Sequence, residues 1–365
     1  MTVRNGEKID YWRYVKQDIF QSEINNLETL SLKEEEAKYL RSLNLFTDDY
    51  IEFLMNAPLK NVRREVKWEF QEKNERFVPA VDGLWHVVML YEIFFLSISN
   101  ELYAKHYILL NRIEDTLVES TAFTRLQDKI KKLSLYNEGR KNKIKIVEFG
   151  TRRRMSKLWQ ENVISSLKFN NLISGTSNVM FAQKTGIKAV GSFGHEIVMG
   201  MQAIFGAEES QSQTFKLWYE FYGERSAIAL NDTLGTNKFF KDFTKDLAEK
   251  YNGLRHDSGD PFIWGDQMIS MYQSFDIDPK TKTLMFSDGL SVDAIIKLND
   301  YFDGKVQLSY GVGTNLTNDS CLPIPQVVMK IITCNKKNVA KLSNNPAKAS
   351  CDDLSYIEYL KSICG

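Results

Sequence analysis

The sequence has no excess charge of either sign, since 47 Lys and Arg residues balance 47 Asp and Glu residues among 365. Proteins that hold nucleic acid or a membrane surface through general electrostatics need a basic excess, so neither partner is expected. A local basic pocket is still compatible with this balance. The remaining composition, 43% hydrophobic and 26% charged, predicts a globular protein with at least one large core and room for two domains.

Cysteine is scarce and confined to the last fifth of the chain. The four cysteines are Cys321, Cys334, Cys351 and Cys364. They form no CxxC pair, so a zinc site is not expected. With no secretory signal in the first residues, MTVRNGEKIDYWRYVKQ, we expect reduced thiols and a cytoplasmic protein.

Long apolar runs and nucleotide-binding motifs are also missing. The most apolar run, residues 84–98, is too short to span a bilayer and carries His86 and Glu92, which predicts a buried helix. No GxxxxGK[ST] motif occurs, which excludes a P-loop, and Gly311-x-Gly313 lacks the third glycine of a dinucleotide fingerprint.

A repeated strand-then-helix pattern is present from residue 143 onward. Seven such units follow in about 170 residues, which is typical of a parallel α/β structure. An α/β barrel is favoured over an open doubly wound sheet, because the repeats are uninterrupted and polar residues follow every strand. We predict an N-terminal helix-rich α/β domain (1–142), a barrel domain (143–326) and a C-terminal hairpin and helix (327–365) that return to the first domain.

Two successive units, in residues 172–199, end in small polar residues, and the second ends in a histidine. Gly186 is expected to cap the helix between them, and residues 187–190 are expected to form the second strand. His195 follows that strand among glycines at a helix start, where ligands of α/β proteins bind. His86 and His106 lie in apolar helical stretches and are interpreted as packing residues.

In a closed barrel, the polar residues after the strands would share one rim. Arginines and glycine turns suit phosphate groups, whereas aspartates suit sugar hydroxyls and magnesium. A structural network of ion pairs between the same arginines and aspartates is the alternative. The rim residues are Arg152, Arg153, Ser192, His195, Asp232, Arg255, Asp257, Asp260, Asp288, Gly313 and Thr314.

These segments carry a family resemblance. In order along the chain they are EFGTRRR (148–154), GTSNVMFAQKTGIKAVGSFGHE (175–196), ALNDTLGTNKF (229–239), GLRHDSGDP (253–261), FSDGL (286–290), YGVGTNLTND (310–319) and KLSNNPAK (341–348). The same motifs in this order make the chain resemble nicotinate phosphoribosyltransferases over residues 145–350. LYEIFFLSISNELY (90–103) extends a looser likeness toward the N-terminus.

The resemblance implies an irregular α/β barrel with an additional N-terminal α/β domain of the open-faced sandwich type, working as a homodimer. It also implies synthesis of nicotinate mononucleotide and pyrophosphate from nicotinate and phosphoribosyl pyrophosphate, for NAD biosynthesis. ATP would be a co-substrate and Mg²⁺ a cofactor, with no metal-ligating residue assigned.

Residue roles also follow from the resemblance. His195 matches the histidine that ATP phosphorylates, Asp232 the carboxylate that bonds this histidine, and Phe149 the aromatic ring that stacks on the pyridine. Arg152, Arg255 and Asp257 match residues around the base and the phosphoribosyl group, with Asp257 assigned to catalysis. The 5′-phosphate and ribose pocket matches Ser287, Asp288, Gly313 and Thr314. An arginine and a hydroxyl suit the nicotinate carboxylate, and Arg255 with Ser192 can supply both.

The chain departs from the family in places. Residues 1–40 contain no match to the tyrosine segment that usually opens these proteins, so we expect the native beginning to be missing from this sequence. Ser192 and Gly194 stand where the family more often has Thr and Ala. Nicotinamide as the substrate is an alternative, although an aspartate then commonly replaces Ser177. A non-catalytic ligand-binding relative and a barrel lyase acting on phosphorylated sugars are further alternatives.

Overall fold

The computed structural model describes residues 1–3, 9–71, 76–344 and 353–364. The helices of this part are α1 (Tyr11–Tyr14), α2 (Gln17–Asn25), α3 (Glu34–Ser42), α4 (Asp48–Met55), α5 (Val62–Glu65), α6 (Trp85–Val88), α7 (Tyr91–Leu110), α8 (Asp115–Asn137), α9 (Lys157–Phe169), α10 (Val179–Thr185), α11 (His195–Phe205), α12 (Ser210–Tyr222), α13 (Thr236–Asp242), α14 (Lys245–Lys250), α15 (Pro261–Ser274), α16 (Val292–Phe302), α17 (Thr314–Thr317) and α18 (Leu354–Cys364). The strands are β1 (Thr2–Val3), β2 (Val66–Gln71), β3 (Arg76–Val81), β4 (Ile146–Glu148), β5 (Ile173–Thr176), β6 (Ile228–Leu230), β7 (Gly253–His256), β8 (Thr283–Phe286), β9 (Gln307–Val312), β10 (Val327–Val328), β11 (Thr333–Cys334) and β12 (Lys337–Asn338).

Strands β4 to β9 form one parallel sheet with the order β5–β4–β9–β8–β7–β6. Chain order therefore runs around the sheet in one direction, and the last strand, β9, pairs with the first, β4. Pairing of first and last strands closes a barrel, whereas a doubly wound sheet grows outward from its first strand. The predicted α/β barrel is confirmed.

The barrel is irregular at one seam, where β5 and β6 are the edge strands of the sheet. Residues 187–190, predicted as a full strand beside this seam, make a single bridge between Ala189 and Thr176. The prediction of a strand was wrong in extent, although the segment lies where the strand was expected. Gly186 caps the preceding helix in the left-handed conformation, φ 67°, as predicted.

The N-terminal part has its own core of buried aromatic side chains. Tyr11 stacks on Tyr103 at 5.4 Å, and Phe20 meets Phe95 edge-on at the same distance. The antiparallel hairpin β2–β3 packs beside these helices, with Val66 of β2 buried in the same cluster. This part is therefore a mixed α/β unit built mainly from helices.

Helix α8 packs on the barrel. Its residues Val118, Ala122, Leu126 and Ile130 recur every four positions, so they share one helix face. All four lie in the hydrophobic cluster of the barrel rather than in the N-terminal aromatic cluster.

The apolar run predicted as a buried helix continues beyond residue 98. Trp85–Leu110 is long and apolar enough to cross a membrane by length and composition alone, and 56% of its apolar window is buried inside the protein. Asn100, a polar residue that follows the run, is buried, and its Nδ2 donates to the carbonyls of Leu96 and Arg152. This pattern is that of a core helix.

The C-terminal part contacts both units. Strand β10 pairs with β1, and Val327 is buried in the N-terminal cluster, whereas α18 packs Ile357 and Leu360 into the barrel cluster. Among the described residues the predicted hairpin is shorter than expected, since β11 pairs with β12 while β10 pairs with β1 instead. The predicted motif KLSNNPAK is described through Asn344, and its remaining residues and Cys351 lie outside the described residues.

Candidate active site

Four neighbouring strands each place a predicted site residue at the first position after the strand ends. Phe149 follows β4, Asp257 follows β7, Ser287 follows β8 and Gly313 follows β9. The ends of β4 and β9 are level, because Glu148 is paired with Val312, and the ends of β7 and β8 are level, because His256 is paired with Phe286. Strand β9 extends two residues beyond β8, since Phe286 is paired with Tyr310. The carboxyl ends of parallel strands meet at one edge, so these residues share a rim of the barrel.

Arg255 connects several of the predicted residues. Its Nε donates to Ser287 Oγ at 2.9 Å, one terminal nitrogen donates to Ser192 Oγ at 3.1 Å, and the other lies 3.3 Å from Asp257 Oδ1. The guanidinium carbon lies 5.8 Å from the centre of the Phe149 ring. A planar cation, a hydroxyl and an aromatic face therefore border the same space.

The ring and backbone of Phe149 lie closely against Gly311 and Gly313. A Cβ added to Gly311 would lie 2.6 Å from two Phe149 ring carbons, and one added to Gly313 would lie 3.1 Å from the Phe149 carbonyl oxygen. Glycine at these two positions leaves room for the ring and its backbone.

His195 is the first residue of α11 and is buried across the seam from β6. Its Nδ1 lies 2.9 Å from Thr233 Oγ1, and its Nε2 lies 2.9 Å from Asp257 Oδ2. The resemblance assigned the bond with this histidine to Asp232, whose Oδ1 is 3.6 Å from Nε2. That separation is too long for a hydrogen bond, so Thr233 and Asp257 orient the ring instead.

Asp232 lies behind the histidine in a polar network of its own. Its Oδ2 accepts hydrogen bonds from Ser258 Oγ at 2.5 Å and Ser343 Oγ at 3.3 Å. Its pKa is lowered, because the electrostatic effects of His195 and Lys341 outweigh burial, which alone would raise it. Asp232 is therefore a buried, ionised neighbour of the histidine.

Burial favours a neutral His195 ring. Burial lowers the pKa of His195 to about 4, although the two neighbouring aspartates act in the opposite direction. Burial would raise the pKa of Asp257, but its contact with His195 Nε2 and the charge of Arg255 hold it well below its usual range. At neutral pH an uncharged imidazole thus lies between carboxylates.

The other predicted site residues lie at the same rim in different settings. Arg152 contacts Glu92 of α7 at 3.5 Å and is partly exposed. Asn315 Nδ2 donates to the carbonyls of Gly289 and Leu290, so the loop holding Gly313 and Thr314 is joined to the loop holding Ser287 and Asp288. Asp260, by contrast, caps α15 by accepting from the backbone N–H groups of residues 262 and 263.

Two residues of the site were missed by the sequence analysis. Thr233 lies beside Asp232 in ALNDTLG, and Lys341 opens KLSNNPAK, so both motifs were noted without a role for these side chains. Lys341 Nζ lies 2.7 Å from His195 Nε2 and 3.3 Å from Asp232 Oδ2. Burial lowers the pKa of Lys341 to about 8, so the amine is mainly an ammonium at neutral pH.

Among the described residues, one group of three side chains has the geometry of a metal site: His195, Asp232 and Asp257, with ligand atoms within 4.8 Å of one another. Lys341 Nζ lies inside this group and is 3.8 Å from Asp257 Oδ2. An ammonium in that position repels a divalent cation, so these residues do not fit a resident metal ion.

A separate cavity of about 420 Å³ lies in the N-terminal part, away from the rim. Its lining includes Trp12, Trp68, Phe70 and Phe77. None of the predicted site residues contributes to it.

The comparisons with known proteins cover nearly the whole chain. Residues 144–363 match the nicotinate phosphoribosyltransferase (NAPRTase) family model, and residues 1–100 match the model of its N-terminal domain. A nicotinate phosphoribosyltransferase of Chromobacterium violaceum is 36% identical over 96% of this chain and 86% of that protein. The one from Acinetobacter baylyi is 35% identical over 99% and 88%.

Solved structures give the same result. The crystal structure of nicotinate phosphoribosyltransferase from Vibrio cholerae is 32% identical, with a TM-score of 0.87 over 95% of this chain and 84% of that one. The structure from Porphyromonas gingivalis is 27% identical, with a TM-score of 0.85 over 95% and 88%.

Proposed function

The chain belongs to the nicotinate phosphoribosyltransferase family, and from this membership we propose how its rim residues carry out the reaction. Its activity is that of the family: it is an enzyme that forms nicotinate mononucleotide and pyrophosphate from nicotinate and phosphoribosyl pyrophosphate, a step of NAD biosynthesis. The roles of individual residues, the coupling to ATP and the assembly are our proposals.

Nicotinate binds between Phe149 and Arg255. The single observation that carries this proposal is the Arg255 fork, which reaches Ser192 Oγ at 3.1 Å while its guanidinium lies 5.8 Å from the Phe149 ring centre. The pyridine ring stacks on Phe149, and its carboxylate accepts hydrogen bonds from Arg255 and the Ser192 hydroxyl.

The phosphoribosyl group lies over the loops after β8 and β9. Ser287, Asp288, Gly313 and Thr314 bind the ribose and its 5′-phosphate, and Arg152 lies beside the base and the phosphoribosyl group. The pyridine nitrogen has a free lone pair, so it attacks C1′ without a general base. The new C–N bond forms as the C1′–O bond breaks and its electron pair leaves with pyrophosphate, while the ionised Asp257 stabilises the cationic ribosyl group.

ATP phosphorylates His195, and hydrolysis of the phosphohistidine drives the reaction forward. The neutral imidazole supports this role, because a protonated ring has no lone pair with which to attack phosphorus. Mg²⁺ would arrive with the substrates and would neutralise charge on their phosphate groups, because the Lys341 ammonium already lies among His195, Asp232 and Asp257, the group of described residues with the spacing of metal ligands.

We also propose a cytoplasmic homodimer, following the family. Phe70 and Phe77 support an interface on the β2–β3 hairpin, since they contact each other and are 54% and 52% exposed. Multi-angle light scattering of the purified protein should give a molar mass of twice that of the monomer. A monomer at assay concentrations that retains full activity would contradict the dimer.

The second candidate substrate is nicotinamide. Ser177 is exposed next to β5 and carries no negative charge with which to receive an amide N–H, which favours the acid. Comparing kcat/KM for the two bases decides between them, and a preference for nicotinamide would overturn the assignment of the substrate.

One experiment tests the activity and the ATP coupling. Nicotinate mononucleotide is measured with and without ATP, for the wild type and for His195→Gln. ATP should stimulate the wild type and place a phosphate on His195, detected by mass spectrometry, whereas His195→Gln should lose the stimulation. His86→Gln is the matched control, because His86 is exposed and its ring contacts Phe53. Binding of substrates without turnover would identify a non-catalytic relative.

A further inference from the structure

A lysine lies inside the acidic cluster of the site, and the reaction proposed above makes no use of it. Lys341 Nζ is 2.7 Å from His195 Nε2, 3.3 Å from Asp232 Oδ2 and 3.8 Å from Asp257 Oδ2. Its side chain is only 3% exposed. The ammonium thus occupies the space among the three side chains that could otherwise ligate a metal ion.

Hydrogen bonds on both sides of Lys341 fix its backbone. The Ala340 N–H and carbonyl bond the two ends of the Gln202 amide at 2.9 and 2.7 Å. On the other side, the Leu342 N–H donates to the Thr233 carbonyl at 2.9 Å. The ammonium is therefore positioned by the fold and does not depend on a flexible surface chain.

The charges of the cluster balance with Lys341 in place. Arg255 pairs with Asp257, and Lys341 pairs with Asp232, so with a neutral His195 these two cations cancel the two carboxylates, and Lys330 adds a further positive charge nearby. A divalent ion added to this arrangement would leave an uncompensated buried charge of two units, which is strongly unfavourable.

The ammonium also determines where the proton of His195 lies. A neutral imidazole has one N–H and one lone pair, and an ammonium can only donate. With Lys341 donating to Nε2, the ring proton lies on Nδ1, where the Thr233 hydroxyl oxygen accepts it at 2.9 Å. Nε2 also lies 2.9 Å from the ionised Asp257 Oδ2, so a lone pair there faces a carboxylate as well as an ammonium, and the stronger of the two contacts decides the tautomer. The charge of Asp257 is already paired with Arg255 and lies 3.8 Å from the Lys341 ammonium, so the contact with Lys341 dominates.

We propose that Lys341 is the resident cation of this cluster, which takes the place of a divalent ion and holds the proton of His195 on Nδ1 with the lone pair on Nε2. Lys341 is thus a positioning residue. Its consequence for catalysis depends on the proposed function: once the ammonium moves off Nε2, the lone pair there forms the bond to the γ-phosphorus of ATP, while the bond from that phosphorus to the bridging oxygen breaks and ADP leaves with its electron pair.

Nitrogen NMR of the substrate-free protein tests the placement of the proton. With ¹⁵N-labelled histidine the four histidines give few signals, and the signal missing in His195→Gln is that of His195. Near neutral pH the wild type should show the Nδ1–H form, and Lys341→Met should move the proton to Nε2, beside Asp257. Lys336→Met removes an exposed lysine of the same C-terminal part and should leave the wild-type signals.

A wild-type His195 with its proton on Nε2 would overturn the proposal, and so would an unchanged tautomer in Lys341→Met. The wild-type measurement alone decides the question if Lys341→Met fails to fold. A loosened histidine in water also prefers the Nε2–H form, so the shift in Lys341→Met counts only if its thermal melt and the signals of the other three histidines match the wild type.

Metal binding gives a second readout. Titrated with Co²⁺ and followed by visible absorption, the wild type should show no His195-dependent signal. Lys341→Met should gain one, which the added His195→Gln substitution removes. Binding of Co²⁺ through His195 in the wild type would contradict the proposal that Lys341 takes the place of a divalent ion.

Failure of the inference and failure of the ATP coupling give different results. Phosphohistidine formed on a His195 whose proton lies on Nε2 would overturn the role of Lys341 and leave the coupling intact. An Nδ1–H tautomer with no phosphohistidine after ATP addition would support the role of Lys341 and overturn the coupling.

Discussion

Alanine at Gly311 tests whether the Phe149 ring holds the substrate base. Gly311 lies on β9 beside the ring, and its backbone has no left-handed conformation that would make alanine strained. An added Cβ would lie 2.6 Å from two ring carbons of Phe149 and 3.2 Å from Ser287 Cβ. Ordinary contact begins near 3.4 Å, so the ring must retreat by about 0.8 Å.

This displacement sets the expected size of the effect. Stacking of an aromatic ring on a base contributes about 1–3 kcal/mol, and losing it raises KM for nicotinate by about 5- to 150-fold. The values of kcat should fall less, provided that the shifted base still reaches C1′. Phosphoribosyl pyrophosphate does not contact the ring in our proposal, so its KM should change little.

Steady-state kinetics with nicotinate as the varied substrate measures the effect. Gly191→Ala is the matched control, because an added Cβ there meets nothing within 4 Å and Gly191 has no positive φ. In a Phe149→Leu background the Gly311→Ala substitution should add little, since the ring on which it acts is gone. An unchanged KM in Gly311→Ala, or an undiminished effect in Phe149→Leu, would refute the reasoning.

Other predictions concern Arg255, Glu148 and His195. Arg255→Lys should raise KM for nicotinate at least about tenfold, because a lysine cannot reproduce the fork that contacts Ser192, and unchanged kinetics would exclude carboxylate binding there. Glu148→Gln should lower the free energy of unfolding by about 1–3 kcal/mol in thermal or denaturant melts, since the buried carboxylate accepts the Gly150 N–H and an amide would present a donor to it; equal stability would contradict this. Burial lowers the pKa of His195 to about 4, below its unfolded value of about 6.5, so the unfolded chain takes up the proton first. Stability is therefore lost as the pH falls through this interval, by about 2 kcal/mol between about pH 7 and about pH 5. The melting temperature of His195→Gln should fall less over this range than that of the wild type, and parallel curves would contradict a buried neutral histidine.

Hydrophobic periodicity made most of the barrel predictable, since each strand is a short apolar run followed by polar residues. It could not predict the extent of pairing at the seam. Residues 187–190 have the composition of a strand, but a strand forms only where a neighbour presents its backbone, and the sheet ends at β5 and β6 there. That information lies in the arrangement of distant segments.

The site residues were predictable for a related reason. Phe149, Asp257 and Ser287 each follow a strand directly, so locating the strands locates the rim. The hydrogen-bond partner of His195 Nδ1 was harder to predict from the sequence, because Asp232 and Thr233 are adjacent and only the local backbone decides which side chain reaches Nδ1. Lys341 is 146 residues from His195 in the chain, and no local pattern links them.

The seam of the barrel explains why the C-terminal segment is part of the active site. A continuous strand pair between β5 and β6 would bury that edge in a backbone ladder and leave no place for α11 to bring His195 to Thr233. In this fold residues 340–342 join α11 to the loop after β6, since their backbone bonds Gln202 on one side and Thr233 on the other. This segment carries Lys341, so the contacts that join α11 to the loop after β6 also place the ammonium against the histidine. The backbone contacts of residues 340–342 therefore also fix the position of the ammonium. A substitution that loosens these contacts should weaken the control of the His195 proton even if every residue at the rim is unchanged.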